Sequence, residues 1–246
     1  APEMATVLKL GGSVVTEKDT PETVDEAALR RAAAALSESS DRLIVVHGGG
    51  SFGHHHAAAH GVSTTAGTRD DAAVREIHGA MKRLNGAVID ALADAGVPAV
   101  PVHPFSAAHR RADGTLQFPG ETVEAIFGEG FLPVLHGDVV AHATEGATIL
   151  SGDEIVVALA AELSADRVGV CSAVSGVYDA DGDVIDRIDS FDDVAAAVGE
   201  SGETDVTGGM AGKVRNLLSL DAPASVFDIE GLEAFLAGEW PGTRIG

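Results

Sequence analysis

Lysine is nearly missing from this chain: four occur in 246 residues, against twelve arginines. Cysteine is scarcer still, and a lone Cys171 excludes an internal disulfide. It ends an apolar run, where a buried structural thiol is expected rather than a nucleophile. Basic charge is also in short supply, with 16 Lys and Arg against 38 Asp and Glu, a formal charge of −22. Nucleic acid and anionic membranes need a basic footprint, so neither is expected as a partner. No apolar run approaches the ~18 residues needed to span a bilayer, and no signal peptide is read at the N-terminus. A soluble, cytoplasmic protein is the expectation.

What is present points to a folded domain. The acidic residues are dispersed and the hydrophobic content is 45%, which argues against disorder. Scattered acid, abundant Ala and Gly, and Arg in place of Lys suit a high-salt cytoplasm, where screening relieves self-repulsion. The length allows one large α/β domain or two lobes.

The few lysines are placed selectively. Lys9 lies in Lys-Leu-Gly-Gly-Ser, Lys18 shortly beyond it, and Lys213 just after Thr-Gly-Gly-Met, while Lys82 lies in a helical stretch. Glycine lets backbone approach a ligand, and an ammonium is a compact charge for phosphate. The combination indicates phosphate chemistry.

Apolar strands alternate with helical patterns along the chain. Strands are predicted over 6–10, 43–46, 97–102, 131–135, 167–171 and 224–228. Helices are predicted over 25–38, 70–95, from the Ser151/Glu154 capping box to 163, over 210–220 and over 230–237. Asp113-Gly114 and Asp181-Gly-Asp183 read as hairpin turns. This alternation implies an α/β fold with a largely parallel sheet covered on both faces. Ligands gather in such folds where strand C-termini meet helix N-termini, and the glycine clusters lie at those junctions.

Gly48 to Gly53 contains a literal Gly-x-Gly-x-x-Gly. The acidic residue of a dinucleotide site does not follow at the end of a second strand, so a plain anion cradle explains the turn better. Gly209 to Lys213 is not a Walker loop, since the spacing differs and Val214 stands where Ser or Thr would hold magnesium. His56 and His60 have helical zinc spacing, but no carboxylate or cysteine is near in sequence, so no protein metal site is expected. His54, directly after the glycine turn, is the candidate donor to a substrate phosphate. The apolar stripe Ile77, Met81, Leu84, Val88 and Leu92 reads as core, pocket lining or dimer seam.

Taken together, Lys9-Leu-Gly-Gly-Ser13, His47-Gly-Gly-Gly-Ser-Phe-Gly-His54, Leu135-His-Gly-Asp138, Leu150-Ser-Gly-Asp153 and Asp205-Val-Thr-Gly-Gly-Met210 with Lys213 resemble the amino acid kinase superfamily. Within it they are most similar to its isopentenyl phosphate kinase branch, over nearly the whole chain. The resemblance implies a three-layer αβα sandwich with a mainly parallel central sheet and a homodimer. It implies an acceptor-binding lobe over about 1–145 and a nucleotide-binding lobe over about 146–246. The implied reaction transfers the γ-phosphoryl group of ATP, with Mg2+, to isopentenyl phosphate in the archaeal mevalonate route to isoprenoids.

Carried over position by position, Lys9, Leu10, Gly11, Gly12 and Ser13 would contact the ATP phosphates and Lys18 would stabilise the transition state. Gly49 and Gly152 would hold the acceptor phosphate, with His54 hydrogen-bonded to it. Gly50, Gly209 and Lys213 would lie on the nucleotide side. The chain departs from the pattern at Ser172-Ala173-Val174-Ser175-Gly176-Val177, where the superfamily carries aspartates at the second and fourth positions. Asp138 or Asp153 is then the candidate organiser of the lysines. A phosphonate kinase of the same superfamily, such as one acting on fosfomycin, is the nearest alternative. A non-catalytic nucleotide sensor and a histidine-based metal protein stand further off.

Overall fold

In a computed structural model of the chain, residues 5–39, 42–195 and 209–246 are described. The first strand, β1 (Ala5–Leu10), is buried at every position and followed by a single turn, α1 (Gly12–Val15). Then come α2 (Glu26–Ser37), β2 (Arg42–His47), α3 (Gly50–Ala59) and the long α4 (Asp71–Asp94). Short β3 (Ala99–Pro101), β4 (His109–Arg110) and β5 (Leu116–Gln117) precede α5 (Gly120–Gly128) and β6 (Leu132–His136). A hairpin of β7 (Asp138–His142) and β8 (Gly146–Leu150) leads to α6 (Gly152–Glu162) and β9 (Arg167–Cys171). The remainder is β10 (Arg187–Ile188), α7 (Gly209–Leu218), β11 (Ala224–Phe227), α8 (Leu232–Leu236) and β12 (Thr243–Ile245).

Eight strands form the main sheet in the order β10-β12-β11-β9-β1-β2-β6-β3. Every pairing is parallel except β11 with β12. Burial on both faces explains the continuous apolar runs of the central strands, because successive side chains serve opposite layers. Val7, Ile44, Val46, Val168 and Val170 pack in one core with Val123 of α5, Ile155 and Leu159 of α6 and Val214 and Leu217 of α7. Leu8, Leu10, Leu43, Val45 and Cys171 pack in the other with Leu29 and Leu36 of α2, Met81, Leu84 and Val88 of α4 and Phe235 of α8. The expected αβα sandwich is therefore present, and the apolar stripe of α4 is core throughout, Ile77 packing in a smaller cluster with Val62 and Val139.

Three features differ from the sequence reading. Residues 138–150 make a hairpin, which with β4 and β5 forms a second four-stranded sheet, β5-β4-β7-β8. Thr16 and Val24 also bridge, closing a small hairpin over 17–23. The chain ends in a strand, β12, which reverses the sheet's direction at that side. Both predicted Asp-Gly turns join antiparallel segments, Arg110 to Leu116 and Tyr178 to Val184. Burial pushes the Cys171 thiol up to about 12, as befits a structural residue. Among the described residues, no helix is long and apolar enough to cross a membrane.

Candidate active site

The strand order brings the C-terminal ends of β9, β1, β2 and β6 side by side, and backbone hydrogen bonds join their turns in series. Gly11 N–H donates to Cys171 O at 2.8 Å, Gly48 N–H to Leu10 O at 3.0 Å, and Gly137 N–H to His47 O at 3.0 Å. The first two glycine turns touch: a Cβ on Gly48 would sit 2.6 Å from Gly12 N, and one on Gly12 would overlap Gly50 N. Gly50 adopts φ +48°, and a Cβ there would strike the Thr16 hydroxyl. Only glycine satisfies both the left-handed backbone and the contact.

The N-termini of α3 and α6 open beside these turns. Gly137 makes the bridge between them, because a Cβ on it would lie 3.5 Å from Gly152 N and 3.9 Å from Gly49 N. Helix N-termini carry unpaired N–H groups and partial positive charge, so two of them at one point form an anion cradle. At α6 the start is set by the predicted capping box. Ser151 Oγ accepts from Glu154 N–H at 3.2 Å, and Glu154 Oε2 accepts from Ser151 N–H at 3.0 Å. The other oxygen of Glu154 binds Arg110 at 2.6 Å, tying the helix start to the second sheet.

Lys9 crosses this cradle. Its Cε lies 3.3 Å from where a Cβ on Gly152 would stand, and its Nζ donates to Asp153 Oδ1 at 2.6 Å. Burial works to raise the Asp153 pKa, yet the ammoniums of Lys9 and Lys213 outweigh it and hold the carboxyl below its ordinary value. Lys9, Asp153 and Lys213 thus form one charged group drawn from β1, α6 and α7. Among the candidate organisers, Asp153 engages the lysines. Asp138 is placed against His78, whose Nδ1 lies 2.8 Å from its Oδ2.

Leu10 is buried, Gly11 and Gly12 line the first turn, and Ser13 is exposed at its rim. The His54 ring is exposed and covers Gly49, with Cδ2 3.5 Å from where a Cβ on Gly49 would be. Lys18 stands on the exposed part of the 17–23 hairpin. Gly209 opens α7 with φ +60°; the preceding motif residues 205–208 lie outside the described residues. At the departure from the superfamily pattern, Ser175 Oγ donates to Asp228 Oδ2, so a carboxylate reaches that turn from the end of β11.

Other residues of the site carried no prediction. His47 and His136 end neighbouring strands, pair in register and stack with ring centroids 5.5 Å apart. Each Nδ1 faces the carbonyl of the following glycine, at 3.0 Å for Gly48 O and 2.9 Å for Gly137 O. Burial lowers the pKa of both, so each ring is neutral and its Nδ1–H donates to that carbonyl. His103 Nδ1–H then donates to His136 Nε2 at 2.8 Å. His47 Nε2 meets the Asn85 amide at 3.0 Å, with Oδ1 nearer and buried Nδ2 left without a partner. Turning that amide by a half-rotation would let Nδ2 donate to the neutral ring. The available signal was the dipeptide His-Gly at two successive strand ends. His56 and His60, read without carboxylates nearby, meet Glu22 and Glu76 at 2.5 and 2.7 Å. These come from distant sequence, and no group of three His, Cys, Asp or Glu able to hold a metal forms among the described residues.

Comparison with known proteins agrees with this geometry. Residues 4–220 match the Amino acid kinase family. Isopentenyl phosphate kinase of Haloferax volcanii is 64% identical over 97% of both chains. The enzyme of that name from Methanothermobacter thermautotrophicus is 35% identical over 87% of this chain and 86% of its own. A crystallographically solved isopentenyl phosphate kinase superposes with a TM-score of 0.79 at 29% identity, covering 98% of this chain and all of the other.

Proposed function

The chain belongs to the amino acid kinase family, and on that footing we propose that it transfers the γ-phosphoryl group of ATP to isopentenyl phosphate, yielding isopentenyl diphosphate and ADP. Identity of 64% along almost the full length of a kinase with that name carries the reading. The site's chemistry supports it, because glycine turns, two helix N-termini and the Lys9–Asp153–Lys213 group all favour bound phosphate.

Both reactants are anions, so the protein's work is to hold them together and neutralise charge as it shifts during transfer. In this reading Gly49, Gly152 and His54 bind the acceptor phosphate. Lys9, Leu10, Gly11, Gly12, Ser13, Gly50, Gly209 and Lys213 face the ATP phosphates. Asp153 keeps Lys9 extended across the cradle instead of free in solvent. Lys18 supplies positive charge to the transferring group. A phosphate monoester is largely ionised near neutral pH, with a second pKa near 6, so no strong base is needed.

Magnesium would enter as part of the nucleotide substrate, held by its phosphates and water. We also take the protein to act as a homodimer in the cytoplasm. The acceptor side would be formed mainly by the first 145 residues and the nucleotide side by the rest.

The test is ADP release with ATP, magnesium and isopentenyl phosphate in molar KCl, followed by phosphorus NMR. Fosfomycin, N-acetylglutamate and UMP run in parallel. A new diphosphate signal with isopentenyl phosphate alone is expected. Turnover of fosfomycin in its place would assign the phosphonate activity, and ATP binding without turnover on any acceptor would overturn the kinase reading.

A further inference from the structure

The 17–23 hairpin presents a mechanical problem. Residues 17–21, Lys18 among them, are all exposed, and a lysine on a loose loop would spread its charge over a wide volume. The chain returns from this excursion at Glu22, one of two non-glycine residues with positive φ among those described, at +48°. A left-handed glutamate is strained and persists only where its surroundings hold it.

Several contacts do so. Glu22 N–H donates to Ser51 O at 3.3 Å, and Thr23 N–H reaches Ser51 Oγ at 3.4 Å. Ser51 N–H in turn donates to Thr16 Oγ1 at 3.0 Å, so the base of the hairpin is fastened to the first turn of α3 beside Gly50. The side chain then reaches further. Oε1 of Glu22 lies 2.5 Å from His56 Nε2 on α3 and 2.7 Å from Arg83 Nη2 on α4. Around His56, Glu76 approaches Nδ1 at 3.9 Å and the His55 ring stands edge-on. One carboxylate oxygen therefore joins the hairpin to two helices that are themselves packed together.

We propose that Glu22 is a positioning residue for phosphoryl transfer, clasping the hairpin to His56 and Arg83 so that Lys18 is held over the glycine cradle. The inference rests on the reading of Lys18 given above. The hydrogen bonds from His56 and Arg83 hold the Glu22 carboxyl below its ordinary range, so this carboxylate is ionised throughout neutral pH. Without the carboxylate, the bonds from Glu22 N–H to Ser51 O, Glu17 N–H to Thr23 O and Ser51 N–H to Thr16 Oγ1 remain, so its loss should loosen the loop without unfolding the domain.

The test compares Glu22→Gln, Arg83→Gln, Lys18→Ala and the Glu22→Gln/Lys18→Ala double variant in the full-length protein. Steady-state constants for both substrates are measured, with hydrogen exchange at the Glu17, Glu22 and Thr23 amides. Glu22→Gln and Arg83→Gln should each lower kcat about tenfold or more, leave the KM for ATP within about twofold, and speed exchange at those amides. Glu22→Gln should cost nothing further once Lys18 is Ala. An inactive Lys18→Ala beside a fully active Glu22→Gln would overturn the clasp, as would an additive loss in the double variant. Full turnover by Lys18→Ala would instead sink the assigned role of Lys18, and the positioning role with it. Glu22→Asn, a residue that tolerates the left-handed backbone but is too short to reach Arg83, separates lost reach from relieved strain. It should behave as Glu22→Gln does.

Discussion

At the scale of single residues, the site depends on a lysine that would gain little from being exposed. Lys9 is largely buried on the central strand and its charge is balanced by Asp153 at 2.6 Å. Removing one member of a buried ion pair leaves the other uncompensated and costs about 3–5 kcal/mol. Asp153→Asn is therefore expected to lower both thermal stability and kcat at neutral pH. The pH dependence has a defined sign. A carboxyl with a lowered folded-state pKa stabilises the protein above its unfolded value, near 3.8, and loses that contribution as pH falls through the folded value. Melting temperatures of wild type and variant should differ at pH 7 and converge as pH falls below 3.8. A constant gap down to pH 2 would show that Asp153 acts by packing and not by charge.

At the scale of elements, the junction before α6 does two jobs. Its capping box satisfies N–H groups at the helix start, and Glu154 also anchors Arg110 of β4. Ser151→Ala should cost about 1 kcal/mol, lowering the melting temperature by roughly 2–4 °C for a chain of this size. Ser151→Asp keeps an acceptor at the cap and should recover most of the loss, as thermal unfolding monitored by circular dichroism would reveal. Equal losses in the two variants would mean that the hydroxyl does not cap.

At the scale of the whole molecule, a formal charge of −22 must be tolerated by a fold of 24.9 kDa. Like charges on its surface repel over a Debye length of ~10 Å at 0.1 M salt, which shrinks to ~3 Å at 1 M. The melting temperature is accordingly expected to climb between 0.1 and 2 M KCl, with most of the gain below 1 M. A flat response in differential scanning calorimetry would mean that the acid is already neutralised within the fold.

Much of this architecture could be read in advance because its signals are local. An apolar strand, a glycine turn and a capped helix start each follow from a few adjacent residues, so β1, β2, β9 and α6 and the glycine turns between them were all legible. The family motifs lie on the same short segments and pointed to the same chemistry. The β7–β8 hairpin was not legible, since its strand-favouring pairs Val139-Val140 and Thr148-Ile149 are short, lie among Ala, Gly and His, and pair because the fold aligns them. Nor could the sequence match each charge to its partner. Lys9 and Asp153 lie 144 positions apart, Glu22 and Arg83 61, and His103 and His136 33. In the parallel part of the main sheet, crossovers carry the chain away after a strand and return it beside an earlier one. Residue chemistry and local punctuation were thus determined by sequence alone, while the choice of carboxylate for Lys9 and the anchoring of the hairpin were decided by strand order and helix packing.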